Sequence, residues 1–318
     1  MFDPAPLRYR QHMSTLRWIF CGLLSFVAFG CQSHAAPQKL RVLIIDGQNN
    51  HNWEATTAAT KATLLKSGRF TVDVSTSPAD KSATVAWEEW KPKFSDYDVV
   101  LSNFNDGGKC TWAESTRTSL LDFIRAGGGF VVIHAADNSS TDWTEYNRLI
   151  GVGGWGGRTP RHGFHMRRTE GVWKKDPAPD GASGSHGPQL EFLVEADAPE
   201  HPILAGMPAK WRHGQDELYD SLRGPCEELT VLASAHCPRT NRQEPVLMEI
   251  GYGKGRVIHN TMGHVGGDSS VHCVGFQAVL ARSAEFAATG EVTLPVPQGF
   301  PTPDKASLVA PAEVIWAE

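Results

Sequence analysis

Leu40-Arg-Val-Leu-Ile-Ile45 is a short, continuous apolar run, and such runs suit a strand buried on both faces of a parallel sheet. The pattern repeats at Phe70–Val74, Tyr97–Leu101 and Phe130–Ile133, with segments of helical character between. Glu54–Ser67, rich in Ala, Thr, Leu and Lys, ends at the helix-stopping Gly68. Glu114–Ala126 sets Leu120, Leu121 and Ile124 on one face before Gly127-Gly-Gly129 ends it. Strands alternating with helices through short connections form the βαβ signature. The expected fold is α/β, a parallel sheet with helices on both faces.

Residues 147–190 break this rhythm. They are Gly-rich at Gly151, Gly153, Gly154, Gly156 and Gly157, then basic, then rich in Pro, Gly and Ser. We read 151–190 as a long inserted loop region, a functional excursion or lid within one domain over 36–295. Leu190–Val194 and Thr230–Ala233 are further strands, Pro245–Ile250 and Gly255–His259 a hairpin, and Phe276–Ala288 a closing helix. The Pro-rich residues 296–318 are expected to form a surface tail.

Residues 1–35 read as a leader outside the fold. Arg8, Arg10 and Arg17 precede the apolar run Trp18–Gly30, and Ser33-His-Ala-Ala36 supplies a small-residue cleavage site. The run is shorter than the ~20 residues a spanning helix needs, so no membrane span is expected. Gly30-Cys31 also resembles a lipoprotein cleavage site, which would anchor the chain at Cys31. The expected location is exported, either periplasmic or secreted. Loss of the leader leaves 27 basic and 34 acidic residues, a balance that argues against nucleic acid as a partner. Four cysteines remain, Cys110, Cys226, Cys237 and Cys273. In an oxidising compartment they allow three full pairings, with Cys226–Cys237 favoured because the two flank one strand-like segment. The absence of CxxC argues against a structural zinc knuckle.

The 13 histidines are the unusual feature of the composition. Ligands of open parallel sheets bind outside the carboxyl ends of the strands, so the polar residues after each strand are the site candidates. His51 and Trp53 follow the first strand, Asn103 and Asn105 the third, His134 and Asp137 the fourth, and His264 the last. The excursion adds Trp155, Arg161, His162 and His165; the spacing of the two histidines would put both on one face of a helical turn, a candidate metal pair. Beyond it, His213-Gly-Gln-Asp216-Glu217-Leu-Tyr219 is an acid–imidazole cluster. Histidine plus carboxylate serves divalent-metal sites and general acid–base pairs alike. His186, His201, His236 and His272 read as solvated loop residues, and His259 as a packed strand histidine.

Nucleophile chemistry finds little support. Phe130-Val-Val-Ile-His134-Ala-Ala136 carries neither Cys nor Ser at the turn after the fourth strand, and no G-x-S-x-G occurs. No GxGxxG or GxxxxGK[ST] follows the first strand, which disfavours dinucleotides and nucleoside triphosphates.

Several segments together resemble the ThuA-like (trehalose utilisation) family, a branch of the class I glutamine amidotransferase-like superfamily. They are Val42–Ile45 with His51-Asn-Trp53, Gly127–Ala136, His201-Pro-Ile-Leu-Ala-Gly-Met-Pro208, Asp216-Glu-Leu-Tyr219, and Gly253–Val257 through Gly263-His264. The resemblance covers residues 40–290 and implies a flavodoxin-like sheet lacking the amidotransferase cysteine. It also implies a role in carbohydrate catabolism, with 3-keto derivatives of disaccharides and glucosides as substrates. A ketone at C3 acidifies the C2 proton, whose loss lets the C1 substituent depart; this needs a base, an acid and an electrophile. On this reading His134 or His264 is the base, and Asp216 or Glu217 orients it or binds a metal. His162, His165 or a divalent cation stabilises the enolate. His51, Trp53, Asn103, Asn105, Asp137, Trp155, Arg161 and Tyr219 contact a small carbohydrate. A divalent metal is the one cofactor considered. A non-catalytic sugar-binding protein, and a hydrolase of esters or amides with an unrecognised nucleophile, stay open as alternatives.

Overall fold

In a computed structural model that describes residues 38–177, 181, 183–265 and 270–316, the alternation resolves into thirteen strands and five α-helices. The expected leader over 1–35 and Cys31 lie outside the described residues. In chain order the first half is β1 (Leu40–Asp46), α1 (Trp53–Lys66), β2 (Phe70–Thr76), α2 (Thr84–Glu89), β3 (Val99–Ser102), α3 (Glu114–Arg125), β4 (Gly129–Ile133) and α4 (Thr144–Ile150). Next come β5 (His165–Thr169), β6 (Val172–Asp176), β7 (Ser185–His186), β8 (Leu190–Ala196), β9 (Lys210–Asp216) and β10 (Tyr219–Asp220). The chain then forms β11 (Leu229–Cys237), β12 (Arg242–Tyr252), β13 (Gly255–Asn260) and α5 (Val274–Thr289).

Nine strands form one sheet in the order β2-β1-β3-β4-β13-β12-β11-β8-β9. The pairings from β2 through to β13 are parallel; those from β13 through β12, β11 and β8 to β9 are antiparallel. The parallel part is the expected βαβ sheet, β12–β13 is the expected hairpin, and β11, β8 and β9 extend the sheet antiparallel. A crossover helix is needed to return a strand parallel, and none separates β11, β12 and β13, so these run as hairpins. The excursion holds the β5–β6 hairpin and β7, which pairs with β10.

Residues of β1 alternate between two cores. Val42 and Ile44 pack with Leu64 of α1 and with α5; Leu43 and Ile45 pack with Trp87 of α2, α3 and α4. Helices therefore cover both faces. Close packing of α5 on the middle of the sheet explains the glycine that opens β4: a Cβ on Gly129 would lie 2.5 Å from the Ala287 carbonyl carbon of α5. Gly129→Ala should therefore lower stability by ~1–3 kcal/mol, read as a fall in the urea midpoint; an unchanged midpoint would contradict this packing.

The Pro-rich tail does not trail away. Its backbone bonds to the domain through Arg212 N–H to the Thr302 carbonyl (2.8 Å), Val274 N–H to that of Ser307 (2.9 Å) and Val309 N–H to that of His272 (2.8 Å), and Val314 is buried. All four described cysteines are free thiols, in contrast to the expected Cys226–Cys237 bridge. Cys226 Sγ faces the carbonyls of Phe164 and Gly224, whereas Cys237 Sγ turns to Asp220. Among the described residues no helix is long and apolar enough to cross a membrane.

Candidate functional site

The order β2-β1-β3-β4 places β2 on one side of β1 and β3 on the other. Loops leaving such strands diverge and open a crevice at their carboxyl ends. Gly47, Gln48, Asn49, Asn50, His51 and Trp53 after β1, and Asn105 and Gly107 after β3, line it. The loop after β1 is held by its own amides: Asn49 Oδ1 accepts the His51 N–H (3.1 Å) and Asn49 Nδ2 donates to the Asn103 carbonyl (3.2 Å). Asn105 Nδ2 donates to Asn50 Oδ1 at 2.7 Å.

β4 runs directly into His134, whose φ of 45° lies in the left-handed region. Such a backbone costs on the order of 1–3 kcal/mol for a residue other than glycine and is retained where surrounding contacts demand it. Here the contacts are to the imidazole. Its Nδ1 lies 2.7 Å from the Thr261 carbonyl, and its Nε2 is 2.9 Å from Tyr219 Oη and 3.6 Å from Glu217 Oε2. The ring also stacks on Tyr219, with centroids 4.3 Å apart.

Glu217 is the hub. Besides His134, its carboxylate has His264 Nε2 at 3.4 Å, His186 Nε2 at 3.7 Å and His51 Nε2 at 4.0 Å. Asp216, next to it, does not face the crevice. It is buried, accepts the backbone N–H groups of Gly263 (2.8 Å) and His264 (3.1 Å), and pairs with His213 Nε2 at 2.8 Å. The segment carrying Glu217 is thereby tied to the one carrying His264.

Proximity separates the charges of these groups. Burial works against ionising Glu217, but the neighbouring His134, His264 and His186 outweigh it and bring the carboxyl down to about 2. Burial, with His134 and His264 alongside, drives His51 down to about 4, and burial and His134 likewise lower His264. His134 moves the other way: although burial opposes its charge, the Glu217 and Asp216 carboxylates and the Thr261 carbonyl raise it. The arrangement is an imidazolium–carboxylate pair, His134 with Glu217, flanked by His51 and His264, whose charged forms are disfavoured.

Above this cluster lies a cleft of about 530 Å³. Its walls include the amides Gln48, Asn49, Asn50, Asn105 and Asn138, and the aromatic rings of Trp53, Trp155 and Tyr219. Trp155 sits 4.7 Å from Tyr219 and 5.9 Å from His186, centroid to centroid. Many neutral donors and acceptors beside flat apolar faces suit a small polyhydroxylated ligand.

Of the residues nominated from sequence, the fold brings together His51, Trp53, Asn105, His134, Trp155, Glu217, Tyr219 and His264. Others are engaged elsewhere. Asn103 Nδ2 donates to the Trp53 carbonyl and Thr57 Oγ1, supporting the loop from beneath. Asp137 is buried against His259 at 3.2 Å. Arg161 is exposed and is not among the residues lining the cleft. His162 and His165 share no helical face, because Gly163 between them has φ 119°. His162 Nδ1 caps the Thr159 N–H at 2.9 Å. Both nitrogens of His165 are taken, by the Leu222 carbonyl (2.9 Å) and the Arg223 guanidinium (2.7 Å). His186, read from the sequence as a solvated loop residue, is exposed but also joins the group around Glu217. It reaches Glu217 because β7 pairs with β10, putting His186 opposite Tyr219.

The model of the ThuA family, described as trehalose utilisation, matches residues 41–287. Among solved structures, the chain is similar to a ThuA-like protein from Parabacteroides merdae, with 37% identity, a TM-score of 0.82, and coverage of 86% of this chain and 99% of that one. A ThuA-like protein from Bacteroides uniformis shares the fold at 20% identity and a TM-score of 0.54, over 83% of this chain and 97% of that one. No curated protein matches the sequence. The extent of the family match and the likeness to the Parabacteroides merdae protein agree with the strand-end site in its crevice: the chain belongs to the ThuA family.

Proposed function

We propose that this ThuA-family protein cleaves 3-keto-glycosides by acid–base elimination, after export directed by the leader over 1–35. The observation that carries this reading is Glu217 ringed by four imidazoles beneath a cleft of amides and aromatic rings. In this proposal the labour is divided differently from the sequence expectation that His134 or His264 is the base. The Gly187 carbonyl lies 2.8 Å from His186 Nδ1 and takes its N–H, which selects the tautomer whose Nε2 faces the cleft without a proton. His186 Nε2 takes the C2 proton, and the C–H electron pair forms the enolate of the C3 ketone. As the enolate collapses back to the ketone, a C1–C2 double bond forms and the C1–O bond breaks. Tyr219 Oη donates a proton to the departing oxygen and is reprotonated by His134 Nε2 across their 2.9 Å contact. The products are an alcohol and an unsaturated ketone, to which water then adds at C1.

Purified protein should release the alcohol from a 3-keto-glucoside and leave the parent glucoside intact. Saturable binding without turnover would overturn the catalytic reading in favour of a sugar-binding protein. Labelling by a serine or cysteine probe, with ester hydrolysis, would favour the nucleophilic alternative. Trp155→Ala removes the flat face beside Tyr219 and should raise KM roughly tenfold with kcat little altered. Steady-state kinetics tests this, and an unchanged KM would place the sugar elsewhere in the cleft.

A further inference from the structure

Three of the residues around this hub have a second capacity. His51, Glu217 and His264 each place one ligand atom within 4.8 Å of the other two, on segments that follow β1, β9 and β13. We infer that these three side chains form a binding site for a divalent first-row transition cation, zinc foremost, with a fourth position open to the cleft. Two imidazole nitrogens and one carboxylate oxygen are the ligand set of open zinc sites. Zn–N bonds of ~2.0–2.1 Å set tetrahedral donors about 3.4 Å apart, so closure requires modest rotation of side chains already facing one another.

The supports around the three are those a metal site needs. Asp216 clamps the backbone of His264, and Asn49 holds that of His51. The Gln189 amide lies 3.2 Å from His264 Nδ1; turned so that its oxygen accepts the Nδ1 proton, it leaves Nε2 bare toward Glu217. His134 stays outside the set because Tyr219 Oη occupies its Nε2 and the Thr261 carbonyl its Nδ1, and His186 is not one of the three residues whose ligand atoms lie within 4.8 Å of one another. A Lewis acid is also what the proposed elimination otherwise lacks. Lys81 is the one Lys or Arg among the described lining residues, and its Nζ is held 2.6 Å from the Asp106 carbonyl.

This inference rests on the functional reading for the cation's role but not for its binding, and the test separates the two. The full chain is stripped by chelator and titrated with Zn²⁺ in a calorimeter, and separately with Co²⁺ followed by its visible ligand-field bands. One equivalent should bind, with tetrahedral Co²⁺ bands. His51→Ala, His264→Asn and Glu217→Gln should each weaken binding by more than the roughly 10–100-fold that loss of an outer-sphere partner costs. His162→Ala and His236→Ala should bind as the parent does, and circular dichroism checks that every variant is folded. Failure to bind one equivalent, or binding that survives Glu217→Gln and His264→Asn, overturns the site. Binding without turnover of a 3-keto-glucoside upholds the site and overturns the functional reading. Full turnover by stripped protein that binds no metal does the reverse.

Discussion

His134→Asn should release simple alcohols from 3-keto-glucosides about 10²–10⁴-fold more slowly and release 4-nitrophenol from the matching aryl substrate with a much smaller loss. The contrast arises from the role assigned to His134. It has no opening of its own onto the cleft, since Tyr219 stands between; its Nε2 meets Tyr219 Oη at 2.9 Å, and Glu217 and Asp216 hold it as a cation. A proton passed along this pair matters when the departing oxygen is a poor leaving group. 4-Nitrophenolate departs without one. Asn is the appropriate replacement because it tolerates a φ of 45° better than most side chains, so the turn after β4 is kept. Rates on both substrates, with urea midpoints as a check on folding, decide the matter. Equal losses would remove the relay from the mechanism, and no loss would remove His134 from it.

The site was legible where strand periodicity governs position. Apolar runs name the strands, and parallel strands deliver the residues at their carboxyl ends to one rim, so His51, His134 and His264 could be nominated together. Such patterns do not carry the direction of a side chain once the strand has ended. Asp137 and Asn103 both come after strands, yet one turns inward to His259 and the other beneath the loop to Thr57. His162 and His165 were paired by an assumed helical period that Gly163 interrupts. His186 enters the site through a two-residue antiparallel pairing with Tyr219 and Asp220, far along the chain, and nothing in its neighbours announces that. Of the antiparallel half, the β12–β13 hairpin was legible from its tight turn, whereas the directions of β8, β9 and β11 were not, because apolar alternation marks a strand without giving its direction.

The support beneath the hub should also be visible in pH-dependent stability. His213 is fully buried, and burial opposes its charge, yet the Asp216 carboxylate at 2.8 Å and the Cys273 thiol raise it to about 9. In the unfolded chain its value is ~6.5. A group raised on folding contributes its full stabilisation below the unfolded value and loses it as pH climbs through the folded one. The window is therefore about 6.5 to 9, and the shift corresponds to ~3 kcal/mol. Cys273 complicates the slope: burial alone would raise its thiol, but His213 lowers it overall, which acts in the opposite sense. In a Cys273→Ser background the unfolding free energy should accordingly fall by ~2–3 kcal/mol between pH 6.5 and 9.5, and adding His213→Gln should flatten that decline. The consequence reaches the site through Asp216, which holds the His264 backbone with the same carboxylate that pairs with His213. A decline that persists in the doubly substituted protein would show that the His213–Asp216 pair does not stabilise the fold as a charged unit.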